Sequence, residues 1–140
     1  MLEKIHQHIV SELNQGAKTD TIFVITAIVF NLIVLGVNSG VAGSATNQDT
    51  YSAVNDVVLI VFVVLLIFVN IISVTALTVG KQTRHKLLNG LLAMYSDNEV
   101  DKYYDTSLLT NYDKRYTLFT GVILCLAATA VVVPLIIRFV

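Results

Sequence analysis

Charge is scarce in this sequence. Of its 140 residues, 14% are Asp, Glu, Lys or Arg and 55% are hydrophobic, against about 25% and about 45–50% in a soluble domain. These charges are too few to cover the apolar surface of a water-soluble fold, and the length allows about one domain. Cysteine is nearly missing: Cys125 stands alone, which excludes a disulfide framework and a thiolate metal cluster. Neither sign of charge is in excess, with nine Lys+Arg against ten Asp+Glu, so a nucleic-acid binder working by bulk positive charge is excluded. N-x-Ser/Thr glycosylation acceptors are missing as well, in keeping with a prokaryotic source.

Apolar sequence is what the chain has in quantity. Ile22–Val37 is a sixteen-residue run broken only by Thr26, Asn31 and Gly36, Val57–Val79 runs twenty-three residues without a charge, and Leu118–Ile137 runs twenty. As helices these are about 24, 34 and 30 Å long, against a hydrocarbon core of about 30 Å. The second run holds eighteen Val, Ile, Leu and Phe residues. At roughly −0.3 to −0.6 kcal/mol each they favour insertion by about 5–10 kcal/mol. β-Branched residues are poor helix formers in water, but an unpaired backbone in lipid costs more, so a helix wins. The first run is short unless it continues through Asn38, Ser39 and Gly40. Val41-Ala42-Gly43-Ser44-Ala45 has the small residues of a signal cleavage site, yet the n-region would be about twenty residues long and contain acids, which is unusual for a leader. The expected fold is an all-α membrane protein with spans at 21–39, 57–79 and 117–139. An amphipathic segment at 1–20, an outer loop at 40–56 and a cytoplasmic helical hairpin at 80–116 complete it.

Orientation follows from the basic residues. Lys4 and Lys18 precede the first span, and Lys81, Arg84, Lys86, Lys102, Lys114 and Arg115 lie between the second and third, whereas residues 38–56 carry none. The N-terminus is therefore expected in the cytoplasm and the C-terminus outside, in a plasma membrane or a bacterial or archaeal inner membrane. Leu2, Ile5, Ile9 and Leu13 fall at helical spacing, giving a short amphipathic helix on the inner surface or beneath the bundle. Gly16 offers a break, and Thr19-Asp20 a fresh N-cap.

In the inner segment, Leu87, Leu88, Leu91, Leu92 and Tyr95 form one stripe, so the second helix is expected to continue into the cytoplasm. Gly80 and Gly90 weaken it without stopping it. Ser96-Asp97-Asn98-Glu99 has the S-x-x-E form of a capping box and predicts a new helix. That helix would align Asp97, Asp101 and Asp105 as an acidic ridge, with Arg84, His85 and Lys86 as its compensation. Arg84, Lys86, Asp97, Asp101 and Asp105 thus make the candidate partner or assembly surface, with a solvated charged face as the plainer reading. Tyr112, Lys114, Arg115 and Tyr116 predict an interfacial anchor.

No cofactor or metal is expected. His6 and His8 are two apart and point to different sides of a helix, where a metal pair wants i, i+4 spacing. A calcium loop starting at Asp97 needs Gly at its sixth position and Glu at its twelfth, which here are Lys102 and Leu108. No Asp, Glu, Lys, Arg or His lies inside any of the three apolar runs, which argues against proton-coupled transport and haem anchoring. A nucleophile–base constellation and a Gly-rich phosphate loop are both missing, so an enzyme is not expected. Cys125 reads as a small apolar packing residue.

The polar residues within the spans can be placed by depth. Asn31 is nine residues above Ile22 and Asn70 nine from Val79, about 13 Å from the inner face in each case. Counted from Leu118, Ala127 and Ala128 fall at the same level. Either the two amides hydrogen-bond across the hairpin and fix register, worth about 0.6–2 kcal/mol, or they face the axis of a homo-oligomer and line a pore. Asn38, seven residues beyond Asn31 on the same face, suits the pore stripe, and Ser73 completes the polar set. Small residues at Gly121, Cys125 and Ala128, and at Gly36 and Gly40, allow close helix approach, and Pro134 frees the carbonyl of Ala130. The first expectation is a small homo-oligomeric channel in the lipid bilayer, lined by Asn31, Asn38 and Asn70, with the inner hairpin as gating or assembly element. The second is a non-catalytic membrane subunit that docks a cytoplasmic protein partner.

Overall fold

The computed structural model describes residues 2–46, 53–100, 102 and 107–140. The described residues form three helices: α1 Leu2–Thr46, α2 Ala53–Asp97 and α3 Ser107–Phe139. All three are long and apolar enough to cross a membrane. α1 packs against both other helices, and α2 and α3 touch each other less. α2 runs antiparallel to α1, bringing Tyr95 to His6 (3.1 Å) and Asn70 to Asn31 (3.0 Å). α3 runs parallel to α1, placing Tyr116 beside Asp20, with the Ile137 carbonyl accepting from the Thr46 hydroxyl (3.1 Å).

α1 and α2 each contain 45 residues, which makes them about 67 Å long, over twice the roughly 30 Å of hydrocarbon. Both overshoot the apolar spans on the side of the N-terminus and form a two-helix stalk from residues 2–20 and 80–97. The break expected at Gly16 does not occur. A mid-helix glycine costs only about 1 kcal/mol, and Leu13 and Ala17 are half-buried beside α2. The Thr19 and Thr21 hydroxyls donate back to the Gln15 and Ala17 carbonyls, at 3.1 and 2.8 Å, instead of capping a new helix. The N-terminal segment is thus continuous with the first span. Leu2 and Ile5 remain exposed, while Leu88 and Leu91 of α2 are buried.

The opposite end also departs from the spans read in the sequence. α1 carries on through Asn38, Ser39 and Gly40 to Thr46, and α2 already begins at Ala53. α3 continues through Pro134.

Ser96–Glu99 ends a helix where the capping-box pattern predicts the start of one. The Val100 N–H donates to the Tyr95 carbonyl (2.9 Å) and the Glu99 N–H to the Ser96 carbonyl (3.0 Å), the paired bonds of a Schellman stop. Glu99 takes the left-handed position at φ 56°, which usually falls to glycine and costs an L side chain about 1–2 kcal/mol. The same four letters serve either end of a helix, and here the stripe through Leu91 and Tyr95 extends α2 up to them. Asp97 is the last residue of α2, and Asp101 and Asp105 lie outside the described residues. Arg84 and Asp97 sit on one helix thirteen residues apart, roughly 20 Å, so Arg84 does not compensate Asp97 within the chain.

The core is thin and continuous. Val24, Ala27, Leu77, Tyr116 and Ile123 form one cluster, and Val34, Leu66 and Ala130 another about two to three turns farther. Outside it the spans expose Ile22 (65%), Ile60 (59%), Phe68 (61%) and Leu118 (67%). Each such side chain forgoes about 1.5–3 kcal/mol of burial in water, a loss that lipid removes.

Candidate functional site

Polar features interrupt this apolar bundle at each end of the spans and between them. The middle one is built by Asn31 of α1 and Asn70 of α2, 1% and 6% exposed. Asn31 Nδ2 donates to Asn70 Oδ1 (3.0 Å), and Asn70 Nδ2 donates to Asn31 Oδ1 (2.8 Å). Each amide has a further acceptor: Asn70 Nδ2 reaches the Leu66 carbonyl (2.8 Å), and Asn31 Nδ2 the Ile123 carbonyl of α3 (3.5 Å). Ser73 is buried with its hydroxyl donating to the Val69 carbonyl (2.9 Å). In a medium without water an unpartnered amide costs several kcal/mol, and here two amides satisfy each other within one chain.

Asn38 is different. It is fully buried, and neither Nδ2 nor Oδ1 has a hydrogen-bond partner among the described residues. Val34 packs against Ala130. One turn farther on these parallel helices come Asn38 and Pro134, both buried. Pro134 has no N–H, so the Ala130 carbonyl lacks its helical donor. The bundle therefore holds spare donor and acceptor capacity at this level.

At the stalk end, Asp20, Gly80, Arg84, Tyr112 and Tyr116 come together from all three helices. The Tyr116 hydroxyl donates to Asp20 Oδ2 in a short hydrogen bond. The Arg84 guanidinium lies over the Tyr112 ring, 4.4 Å from its centroid, within cation–π range. Lys81 pairs with Asp113 at 3.3 Å. Gly80 is where α2 meets the Asp20 side chain: a methyl group there would run into Asp20 Oδ1 and lie 3.1 Å from its Cγ. At the other end Arg138 Nε donates to Asp56 Oδ1 (2.9 Å) and an Nη of the same guanidinium to Oδ2 (3.3 Å). This two-pronged pair ties the start of α2 to the end of α3.

The small residues expected to allow close helix approach face outward. Gly36, Gly40 and Gly121 have nothing within 4 Å of a built methyl group, and Cys125 and Ala128 are exposed. The small-residue faces thus lie on the outside of the bundle, and the close approach falls at Gly80 instead. Lys86 and Asp97 are exposed, whereas Arg84 belongs to the stalk-end cluster. Asp20, Gly80, Tyr116, Asp56 and Arg138 were not among the expected site residues. Matching polar groups by depth, as for the asparagines, finds all but Gly80: Asp20 and Tyr116 each stand just before a span at the stalk end, and Asp56 and Arg138 flank spans at the opposite end.

Comparison with protein-family models, with curated proteins and with solved structures gives no match.

Proposed function

We propose that this chain is a non-catalytic membrane subunit whose two-helix stalk docks a cytoplasmic protein partner. The observation that carries the reading is the length of α1 and α2, 45 unbroken residues each. Two helices that continue out of the spans present a stiff surface at a fixed distance from the bilayer, which a membrane anchor alone does not need. Lys4, His8, Glu12, Gln82, His85 and Lys86 are exposed on it. Eight of the nine basic residues counted in the sequence lie at this end, with Arg138 the exception, and that asymmetry supports a cytoplasmic stalk.

Two observations weigh for docking over a pore. Asn31 and Asn70 use their amides on each other, and the exposed side chains of the spans are overwhelmingly apolar, so copies assembled around an axis would offer it no polar stripe. The homo-oligomeric channel, with the stalk as gating element, is the second reading. It is favoured by Asn38, a buried amide without a partner among the described residues, and by the outward small-residue face at Gly121, Cys125 and Ala128. Photo-crosslinkers at Lys4, His8 and Lys86 in the native membrane separate the two. Docking gives one heteromeric adduct from the stalk positions and none from Ile25 or Ile60 in the spans. Adducts of the chain with itself alone, from stalk and spans alike, support the channel.

A further inference from the structure

A crevice of about 460 Å³ opens between α1 and α2 at the stalk end, with Phe23, Ala76 and Val79 on its membrane side and Glu12, Thr83 and Arg84 on the other. Arg84 also walls a smaller crevice of about 170 Å³ on the α3 side, shared with Arg115, Tyr116 and Phe119. The Nε of Arg84 is buried without a hydrogen-bond acceptor among the described residues. Stacking on Tyr112 at 4.4 Å holds the guanidinium plane in place. Asp20, the carboxylate nearest in the cluster, already accepts the Tyr116 hydroxyl.

Depth identifies what this cation meets. Arg84 is five residues beyond Val79, the last residue of the second apolar run. That is about 7 Å along the helix, within the headgroup layer that makes a bilayer about 40–45 Å thick around a 30 Å core. A half-buried guanidinium whose Nε–H has no acceptor among the described residues is suited, at that depth, to a phosphate oxygen. Farther out the crevice changes sign. The pairings His6–Tyr95 and Asn31–Asn70 set Arg84 level with Ala17. Glu12 therefore lies five residues farther from the membrane, about 7 Å before side-chain reach is counted. Asp20 also lines the crevice, between the apolar floor and Arg84, and accepts the Tyr116 hydroxyl. Beyond it the order of cation and then carboxylate is the complement of phosphate and then ammonium, with the apolar floor left for an acyl chain.

The geometry points to a binding site for an amine-headed phospholipid of the phosphatidylethanolamine type, drawn from the leaflet on the stalk side. Its phosphate rests on Arg84, its ammonium on Glu12, and an acyl chain runs over Phe23 and Val79. The site requires only that the helices cross a membrane, and holds whether or not the stalk docks a protein.

Native mass spectrometry of the delipidated full chain in mild detergent tests it, by titration with phosphatidylethanolamine, phosphatidylglycerol or the water-soluble glycerophosphoethanolamine. Phosphatidylethanolamine is expected to bind first. Arg84→Gln is expected to weaken both lipids about tenfold, the loss of one charge-assisted hydrogen bond. Glu12→Gln removes the preference for phosphatidylethanolamine while sparing phosphatidylglycerol, and Lys86→Gln, on the exposed face, changes neither. Arg84→Lys keeps the charge and loses the fork and the stack, so a partial loss is expected there, read on protein whose helicity is unchanged. Equal binding by wild type, Arg84→Lys and Glu12→Gln overturns the site. Binding of glycerophosphoethanolamine as tight as that of the lipid overturns its assignment to a bilayer component, leaving a soluble phosphodiester.

Discussion

Asn31→Leu is expected to destabilise the protein by about 1–3 kcal/mol in detergent unfolding followed by circular dichroism, and Asn70→Leu by a similar amount. Each change leaves the other amide short of a partner in a region without water. Among the described residues, Asn70 would retain only the Leu66 carbonyl at 2.8 Å, and Asn31 only the long contact to the Ile123 carbonyl at 3.5 Å. The Asn31→Leu, Asn70→Leu double variant has no orphan, and two leucines suit the surrounding Val, Ile and Leu. Its loss should be smaller than the sum of the two singles, with a coupling of about 1–2 kcal/mol. Additive losses would mean that the amides act separately and that the reciprocal bond contributes nothing to the fold.

The second large effect is a reversal of sign at Gly80. Gly→Ala in a helix ordinarily gains about 1 kcal/mol. Here the added methyl meets the Asp20 carboxylate, with Oδ1, Cγ and Oδ2 all close, and that carboxylate is held by the Tyr116 hydroxyl. Moving it gives up a hydrogen bond to a charged group, about 1.5–3 kcal/mol. Gly80→Ala is therefore expected to destabilise by about 1 kcal/mol in the wild type and to stabilise by about 1 kcal/mol in an Asp20→Ala background. The same unfolding assay reads both. A stabilising Gly80→Ala in the wild type would show that Asp20 does not crowd α2.

The three apolar helices are legible because a bilayer demands long uncharged runs, and nothing in the chain competes with that signal over Val57–Val79 or Leu118–Ile137. The level of Asn31 and Asn70 is legible for the same reason: helical rise converts residue number into depth. Depth alone leaves direction open, and only the packed bundle turns the two amides toward each other. The breaks inferred at Gly16 and at Ser96 rest on local signals, and tertiary packing decides both. Gly16 is carried by an α1 that rests on α2, and Ser96-Asp97-Asn98-Glu99 closes a helix because the apolar stripe runs into it from the N-terminal side. Gly80 shows the converse. In the sequence it is a weak point in a helix, and its reason for being small, the Asp20 side chain sixty positions earlier, comes from another helix. The small residues at Gly36, Gly40, Gly121 and Cys125 lie on the outside of the bundle: small-residue spacing marks a face without marking which neighbour covers it.

Docking and conduction make opposite demands on the buried amides. Ion flux through the purified chain reconstituted in liposomes, compared between wild type and the Asn31→Leu, Asn70→Leu double variant, tests them most directly. If the chain is a docking subunit, both leak at the rate of protein-free vesicles, because the amides are spent on each other. A wild-type leak that rises with protein content and disappears in the double variant would contradict this and place the asparagines on a conducting path.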